Sequence, residues 1–296
     1  MSWLSDIWKS KDKDPVIGVC LSGGGARGVI HIGYLKALEE RDIPIHSVSG
    51  TSMGAIVSLL SASGLNADDM LEAFIDLDID SNTKRFKLLK AAFQQGLNTL
   101  YDRLHGIVGV DDFSELQKDC YLTASELRSG SPVIFKSGNP VHAALASASI
   151  PLIFHPYKMG DKVYVDGGLF NNFPIDPLIE SCTHILGSHA NHLAEDDDLG
   201  STMKIADRVF RLAIFQNVRY RMELCDSFID PSEARKYTTL GFDPSILREL
   251  FQIGYEAGKA ELDQIEKILK SESEKHESRS NFTEIIKITH TEMKEK

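Results

Sequence analysis

The first 64 residues alternate two short apolar runs with two stretches of helical spacing, and this alternation restricts the possible folds strongly. Residues 16–22 are an apolar, β-branched run that ends in glycines, which predicts a buried parallel strand. Residues 28–41 have the apolar spacing of a helix. Residues 45–50 predict a second strand and residues 53–63 a second helix. A strand–helix–strand–helix order favours a parallel sheet with helices on both faces.

Further elements follow from the same kinds of pattern. Strands are predicted at residues 119–124, 132–137, 162–165 and 183–187. The last of these is expected to be the final strand of the core. Helices are predicted at residues 141–148, 203–224 and 244–270.

Charge and cysteine content exclude several classes of protein. The 296 residues carry a formal net charge of −11, which argues against duplex nucleic acid as a partner because a phosphate backbone requires a basic surface. The four cysteines are far apart, which predicts neither a disulfide framework nor a zinc site: Cys20, Cys120, Cys182 and Cys225. No apolar stretch reaches the roughly 18 residues that span a bilayer, and the N-terminus lacks a secretory signal pattern. We therefore expect a cytoplasmic protein.

Residues 50–54 have the sequence Gly-Thr-Ser-Met-Gly, a G-x-S-x-G motif between a predicted strand and a predicted helix. A nucleophile elbow requires this context, because the glycines permit a sharp turn that exposes the serine above the sheet. The N-terminus of the following helix also favours negative charge near Ser52. The motif predicts a nucleophilic serine; an ordinary glycine-rich turn is the alternative.

Residues 23–28 have the sequence Gly-Gly-Gly-Ala-Arg-Gly and follow the first predicted strand. The run matches G-x-G-x-x-G, but a dinucleotide site also needs an acidic residue near the end of the second strand, where this chain has the elbow instead. A glycine run presents backbone N–H groups without obstructing side chains, and beside Ser52 these would form an oxyanion hole. A tight turn without a ligand is the alternative.

Asp166 precedes two glycines at the end of a predicted strand. Most aspartates in this position only cap a turn, so the residue alone predicts little. A Ser–His–Asp triad would need a histidine downstream of the acid, and this chain has five: His184, His189, His192, His276 and His290. None stands in a distinctive sequence setting, and we expect structural roles for His184 and His189, which flank the last predicted strand of the core.

In this order and at this spacing, the three motifs resemble the signatures of the patatin-like phospholipases. Residues 146–156 (ASASIPLIFHP) and the NNFP sequence after Asp-Gly-Gly agree with the resemblance. Residues 242–257 are similar to the C-terminal helix of bacterial members. The resemblance implies a three-layer α/β/α fold with a mostly parallel central sheet, and a Ser–Asp dyad in place of a triad.

The resemblance also implies roles for individual residues. It assigns the nucleophile to Ser52 and the base to Asp166. It assigns the oxyanion hole and its support to consecutive residues of the glycine loop: Gly24, Gly25 and Ala26 as donors and Arg27 as support. It implies no metal or organic cofactor. We expect residues 1–15 to be an N-terminal extension, 16–270 the patatin-like acyl hydrolase domain, and 271–296 a polar, poorly ordered C-terminal tail.

The expected function is hydrolysis of lipid esters of the phospholipase A or lysophospholipase type, through an acyl-enzyme on Ser52. An acyltransferase would use the same intermediate and replace water with an alcohol or thiol. A non-catalytic lipid-binding regulatory protein is a third hypothesis, and a peptidase is a fourth. The expected partner is a lipid ester, and the oligomeric state is not predicted.

Two segments are basic and amphipathic in this acidic chain, residues 84–103 and 204–222. They indicate either peripheral contact with anionic lipid headgroups or core-packing helices with a solvated charged face. Parts of both segments are candidates to line an acyl-chain trough. Residues 1–13 contain both tryptophans followed by lysines, which indicates either a short interfacial anchor or a segment without a membrane role.

Overall fold

The computed structural model describes residues 15–76 and 97–284, apart from 152, 194, 196–199, 240, 272, 273 and 276. The hypothetical anchor at residues 1–13 and most of the basic segment 84–103 therefore lie outside the described residues. Within the described residues, no helix combines the length and the apolar character needed to cross a bilayer.

A mixed, eight-stranded sheet lies at the centre of the described fold. Its strands are β1 Ile17–Leu21, β2 Ser47–Thr51, β3 Asp119–Glu126, β4 Ser131–Phe135, β5 Tyr157–Met159, β6 Lys162–Asp166, β7 His184–Ser188 and β8 Ser227–Ile229. They follow the order β5-β6-β3-β2-β1-β7-β8, with β4 also paired to β3. The segment β3-β2-β1-β7-β8 is parallel, and β4, β5 and β6 pair antiparallel. The mostly parallel sheet predicted from the sequence is confirmed.

Helices pack on both faces of the sheet. They are α1 Val29–Glu39, α2 Met53–Ala62, α3 Ala67–Asp76, α4 Leu97–Val108, α5 Pro140–Ser147, α6 Asp176–Ser181, α7 Thr202–Met222 and α8 Pro244–Ile268. Successive residues of a strand point to opposite faces, and β1 accordingly contributes to two cores. Val19 and Leu21 pack in the core that includes Leu35, whereas Cys20 packs with Phe173 and Val218. The predicted three-layer α/β/α architecture is confirmed.

The pairing of β3 determines which chain segments meet at its end. Both β4 and β6 pair with residues 124–126 of β3, so they lie on opposite edges of that strand. Both β2 and β4 pair with Leu122 and Thr123, so they too lie on opposite edges. β2 and β6 therefore share one edge of β3. The end of β2 meets the end of β6, because Thr51 pairs with Thr123 and Asp166 with the next residue of β3.

The prediction that residues 183–187 form the final core strand is wrong. β8 extends the sheet by one more strand and pairs parallel with β7 over residues 186–188. It has only three residues, which is too short for an apolar period to be recognised in the sequence.

The described part of the C-terminal tail is more ordered than we expect from its composition. Residues 277–284 are helical, and Arg279 in this segment is only 4% exposed. Its guanidinium contacts the buried Asp226 carboxylate at 2.7 Å and donates to two backbone carbonyl groups. Asp226 also accepts the N–H of Ile185 in β7. The expectation of poor order is wrong here, because a buried ion pair anchors the segment at the sheet.

Replacing Arg279 with alanine should lower the free energy of unfolding by about 3–5 kcal/mol, because it removes a counter-charge from the buried Asp226 carboxylate. Urea denaturation of both proteins measures this difference. Arg219→Ala is the control, since that side chain is 74% exposed and its loss should change stability by less than about 0.5 kcal/mol. A loss below about 1 kcal/mol at Arg279 would contradict the anchoring role.

Candidate active site

The G-x-S-x-G motif forms a sharp turn between β2 and α2, with Ser52 at its apex. Ser52 has φ 55° and ψ −122°, a region of conformational space that residues other than glycine rarely occupy. The turn is so tight that a Cβ on Gly50 would overlap the carbonyl group of Gly54. A Cβ on Gly54 would overlap the backbone at the end of β1. This strand–turn–helix geometry is that of the predicted nucleophile elbow.

The backbone of Ser52 is held in place by α5. Its N–H donates to Ser147 Oγ at 2.8 Å, and the Ser147 hydroxyl donates to the Thr123 carbonyl at 2.5 Å. The N–H of Ser52 is therefore occupied within the protein. Ser147 belongs to the ASASIP stretch, whose likeness to the family is visible in the sequence but whose contact with the elbow is not.

Asp166 is brought beside Ser52 by the end-to-end arrangement of β2 and β6. The Ser52 hydroxyl is near enough to the Asp166 carboxylate to lower the pKa of that group, and the N–H of Gly168 donates to Asp166 Oδ1 at 2.8 Å. Both residues are buried, Ser52 being 5% and Asp166 8% exposed. The structure thus unites the two residues to which the sequence analysis assigns nucleophile and base.

Burial raises the pKa of Asp166 from 3.8 to about 6. The hydrogen bonds from Ser52 and Gly168 limit this rise, because they stabilise the charged carboxylate. A carboxylate whose pKa lies close to neutral pH is a stronger base than an ordinary aspartate and is still ionised at pH 7. The site therefore contains a hydroxyl group beside a carboxylate that is able to take its proton.

The glycine loop lies against the elbow, where a Cβ on its first glycine would lie 3.2 Å from Ser52 Cβ. Within the described residues, no acceptor is paired with the N–H of Gly24 or Gly25. The N–H of Ala26 instead donates to the Thr239 carbonyl at 2.8 Å. Ala26 therefore cannot serve as the expected oxyanion donor while this bond is in place. Thr239 is distant in the sequence, so the loop itself carries no sign of this contact.

Arg27 joins the glycine loop to two distant segments. Its Nε donates to the Tyr237 carbonyl at 2.8 Å and its Nη1 to Asn191 Oδ1 at 3.4 Å. Asn191 also donates to the Gly23 carbonyl at 2.8 Å and so contacts both ends of the loop. These contacts are consistent with the supporting role expected for Arg27, and they add Asn191, which the sequence analysis missed.

The described histidines downstream of Asp166 bind other groups. His189 and His192 each contact Asp230 through Nδ1 at 2.8 Å. His184 contacts a backbone carbonyl through Nε2 at 2.9 Å. These three histidines do not complete a triad, and the two nearest the C-terminus lie outside the described residues. Within the described part of the chain, no cluster of three or more His, Cys, Asp or Glu side chains is arranged to hold a metal ion.

One histidine that the sequence analysis did not single out lies behind the glycine loop. His31 Nε2 contacts the Ser22 carbonyl at 2.8 Å, and its Nδ1 contacts Ser188 Oγ at 2.8 Å. Burial lowers the pKa of His31 to about 3, so the ring is neutral at physiological pH. It connects the ends of β1 and β7. A single histidine in an apolar helix has no sequence pattern that would indicate this role.

Comparison with known proteins agrees with this geometry. The profile of the patatin-like phospholipase family matches residues 19–179, which include all three motifs and more than half of the chain. The chain belongs to the patatin-like phospholipase family. The match spans the glycine loop, the elbow and the Asp-Gly-Gly turn, so these three parts of the site lie in the region shared with the family.

Curated relatives share this region of the patatin-like chain. An uncharacterised NTE family protein of Mycobacterium tuberculosis is 32% identical over 164 residues, which is 55% of this chain and 28% of the relative. The cGAMP-activated phospholipase of Escherichia coli is 30% identical over 202 residues, 58% of this chain and 56% of the relative. The lysophospholipase NTE1 of Meyerozyma guilliermondii is 27% identical over 176 residues, 55% of this chain and 12% of the relative. The chain thus spans about half or less of these relatives.

Two solved structures share the fold at low sequence identity. VipD from Legionella pneumophila has a TM-score of 0.53 and 14% identity, over 93% of this chain and 75% of VipD. Human GIVD cytosolic phospholipase A2 has a TM-score of 0.52 and 11% identity, over 90% of this chain and 62% of the enzyme. The likeness supports the three-layer patatin-like architecture described above.

The rate of covalent labelling of Ser52 by a fluorophosphonate should increase with pH through a midpoint of about 6 and then level off, because the Asp166 carboxyl can accept a proton only when ionised. Second-order labelling constants measured across the range of about pH 4.5 to 8 would give this midpoint. The Asp166→Asn variant should label slowly and without that pH dependence. A midpoint near 7 or above in the wild type, retained in Asp166→Asn, would instead indicate a different base.

Proposed function

We propose that the protein is a serine carboxylic-ester hydrolase that acts on lipids, with Ser52 as nucleophile and Asp166 as general base. The observation that carries the proposal is the position of Ser52 at the apex of a nucleophile elbow, beside a buried carboxylate that the strand register brings to the same point. Membership of the patatin-like phospholipase family supports the lipid ester as substrate class.

In the proposed reaction, Ser52 Oγ attacks the ester carbonyl carbon while its proton passes to Asp166. The carbonyl oxygen becomes an oxyanion, which the N–H groups of Gly24 and Gly25 stabilise. The C–O bond to the alcohol then breaks, and the alcohol leaves with the proton from Asp166. A water molecule then loses a proton to Asp166 and attacks the acyl-enzyme. The bond to Ser52 Oγ breaks, Oγ takes the proton back from Asp166, and the fatty acid is released.

The names of relatives support the same substrate class, since one is a cGAMP-activated phospholipase and another a lysophospholipase. An acyltransferase remains the second candidate, because an alcohol or thiol in place of water would use the same acyl-enzyme. Release of free fatty acid, measured with and without an added acceptor alcohol, separates the two reactions. A non-catalytic lipid-binding protein would produce neither product.

Ser52→Ala should lower hydrolysis of a p-nitrophenyl ester by at least about 10⁴-fold and abolish fluorophosphonate labelling, because the nucleophile is removed. Thermal unfolding of the variant verifies that the fold is intact. His192→Gln is the control and should keep most of the activity, since His192 contacts Asp230 and not the dyad. Retention of more than a trace of activity by Ser52→Ala would refute the nucleophile assignment.

The surface of α7 supports contact with a lipid bilayer. Ile205, Val209 and Leu212 are 46%, 59% and 37% exposed, and their spacing places them on one face of the helix. Arg208 and Arg211 stand beside them in the sequence and are partly exposed. An exposed apolar stripe flanked by arginines matches an anionic membrane surface, because apolar side chains enter the headgroup region while the guanidinium groups meet phosphates.

The position of this stripe places it near the catalytic edge of the sheet. β7 ends at Ser188, whose carbonyl accepts the N–H of Ser22 beside the glycine loop. Because β7 and β8 are parallel, α7 must run back from that edge to the start of β8. The exposed apolar residues belong to its first half, whereas Val218 and Met222 in the second half are buried. The stripe therefore lies at the end of α7 nearer to Ser52.

Val209→Glu should weaken binding to phosphatidylglycerol vesicles and lower activity on vesicle lipids, because it places a negative charge in the apolar stripe. Hydrolysis of a soluble short-chain ester should stay at the wild-type rate. Tyr220→Glu is the matched control, since Tyr220 is 45% exposed at the other end of the same helix. Equal vesicle binding by wild type and Val209→Glu would rule out this surface.

A further inference from the structure

Asn172 lies in the active site without a role in the dyad. It follows the Asp-Gly-Gly turn and is 4% exposed. Its backbone carbonyl accepts the N–H of Gly23 at 3.1 Å, which joins the segment after Asp166 to the glycine loop. The backbone of Asn172 therefore lies where the three motifs of the site converge.

The side-chain amide of Asn172 lies near both Ser52 and Asp166. A Cβ placed on Gly23 would overlap Asn172 Oδ1 and would lie 3.2 Å from Ser52 Cβ. A Cβ placed on Gly168 would lie 2.8 Å from Asn172 Oδ1 and 3.0 Å from Asp166 Oδ1. Gly23 and Gly168 thus leave open the space that the amide occupies, and the amide is a close neighbour of both members of the dyad.

The amide of Asn172 has no hydrogen-bond partner among the described residues, although buried amides are normally paired. The preceding residue provides a direct contrast. Asn171 is equally buried, but its Nδ2 donates to Asp176 Oδ2 at 2.7 Å. One end of the Asn171 amide is therefore bonded to Asp176 while its Oδ1 has no partner, whereas neither end of the Asn172 amide is bonded to a described residue.

Few of the described backbone N–H groups around Ser52 are free to bind an oxyanion, so a further donor from the Asn172 amide would contribute to its stabilisation. Among the N–H groups of Ser52 and the glycine loop, that of Ser52 is bonded to Ser147 and that of Ala26 to Thr239, whereas those of Gly24 and Gly25 have no acceptor among the described residues. Stabilisation of a tetrahedral oxyanion depends on donors aimed at the position where charge develops. The two ends of an asparagine amide are exchanged by a half-turn about its last bond, so Nδ2 can occupy the position given to Oδ1.

We propose that Asn172 is a further catalytic residue, whose side-chain N–H donates to the oxyanion on the acyl carbon beside the N–H groups of Gly24 and Gly25. The proposal rests on the acyl hydrolase function proposed above. The amide donates a hydrogen bond and gives up no proton, so the transfer from Ser52 to Asp166 and on to the leaving alcohol is unchanged.

Asn172→Ala should lower kcat for a soluble ester by about 10²-fold and leave KM nearly unchanged, because the contact is made mainly in the transition state. It should weaken inhibition by a trifluoromethyl ketone by a similar factor, since that inhibitor forms a tetrahedral alkoxide on Ser52. The midpoint of the pH–rate profile should stay at that of the wild type. Asn172→Leu fills a similar volume without a donor and should give the same result if the alanine variant folds poorly.

Asn171→Ala is the matched control: it removes the neighbouring amide and should lower the melting temperature while keeping kcat within about threefold of wild type. A loss of less than about threefold in folded Asn172→Ala or Asn172→Leu would overturn the proposal. A loss of kcat without weaker ketone inhibition would also overturn it. A displaced midpoint of the pH–rate profile would overturn it as well, because it would indicate that Asn172 acts through Asp166. If the wild type is neither labelled nor active, the hydrolase function itself fails; if it is active and the Asn172 variants match it, only this inference fails.

Discussion

Residues 122–126 of β3 pair with three other strands, and the geometry of the active site depends on that arrangement. β2 and β6 meet end to end on one edge of β3, so backbone hydrogen bonds of the sheet bring the elbow and Asp166 together. Thr123 lies at the junction, and its carbonyl accepts the hydroxyl of Ser147, which holds the N–H of Ser52. The separation of the proposed nucleophile and base is therefore set by the backbone pairing of the sheet, and such a fixed geometry is the preorganisation that catalysis requires.

The features that sequence reasoning predicted correctly have local causes. The first strands and helices follow from apolar spacing, and the elbow follows from the need for glycine at positions 50 and 54, where a Cβ would overlap backbone. Asp166 is different, because neither β3 nor β6 contains a signal for their mutual register. That Asp166 lies beside Ser52 could be predicted only from the resemblance to a family, because the resemblance assigns both residues to one site.

The features that were missed depend on contacts between distant segments. Ala26 is in a glycine loop suited to anion binding, yet its N–H is bonded to Thr239, more than 200 residues further along the chain. Arg279 stands in a polar, charged tail, and only its burial against Asp226 makes that tail part of the fold. Composition describes the average environment of a segment, whereas these outcomes depend on single long-range partners. Asn172 likewise stands out only when the free donors around Ser52 are counted.

The burial of Asp166 affects the stability of the whole protein as well as its reactivity. Below about pH 4 the carboxyl is neutral in both the folded and the unfolded chain and has no net effect. As the pH rises toward about 6, the unfolded chain ionises first, and folding becomes steadily less favourable. Above that range an ionised Asp166 subtracts about 3 kcal/mol from the free energy of unfolding. The patatin-like fold therefore holds this buried carboxyl group against a thermodynamic cost that its hydrophobic cores must offset.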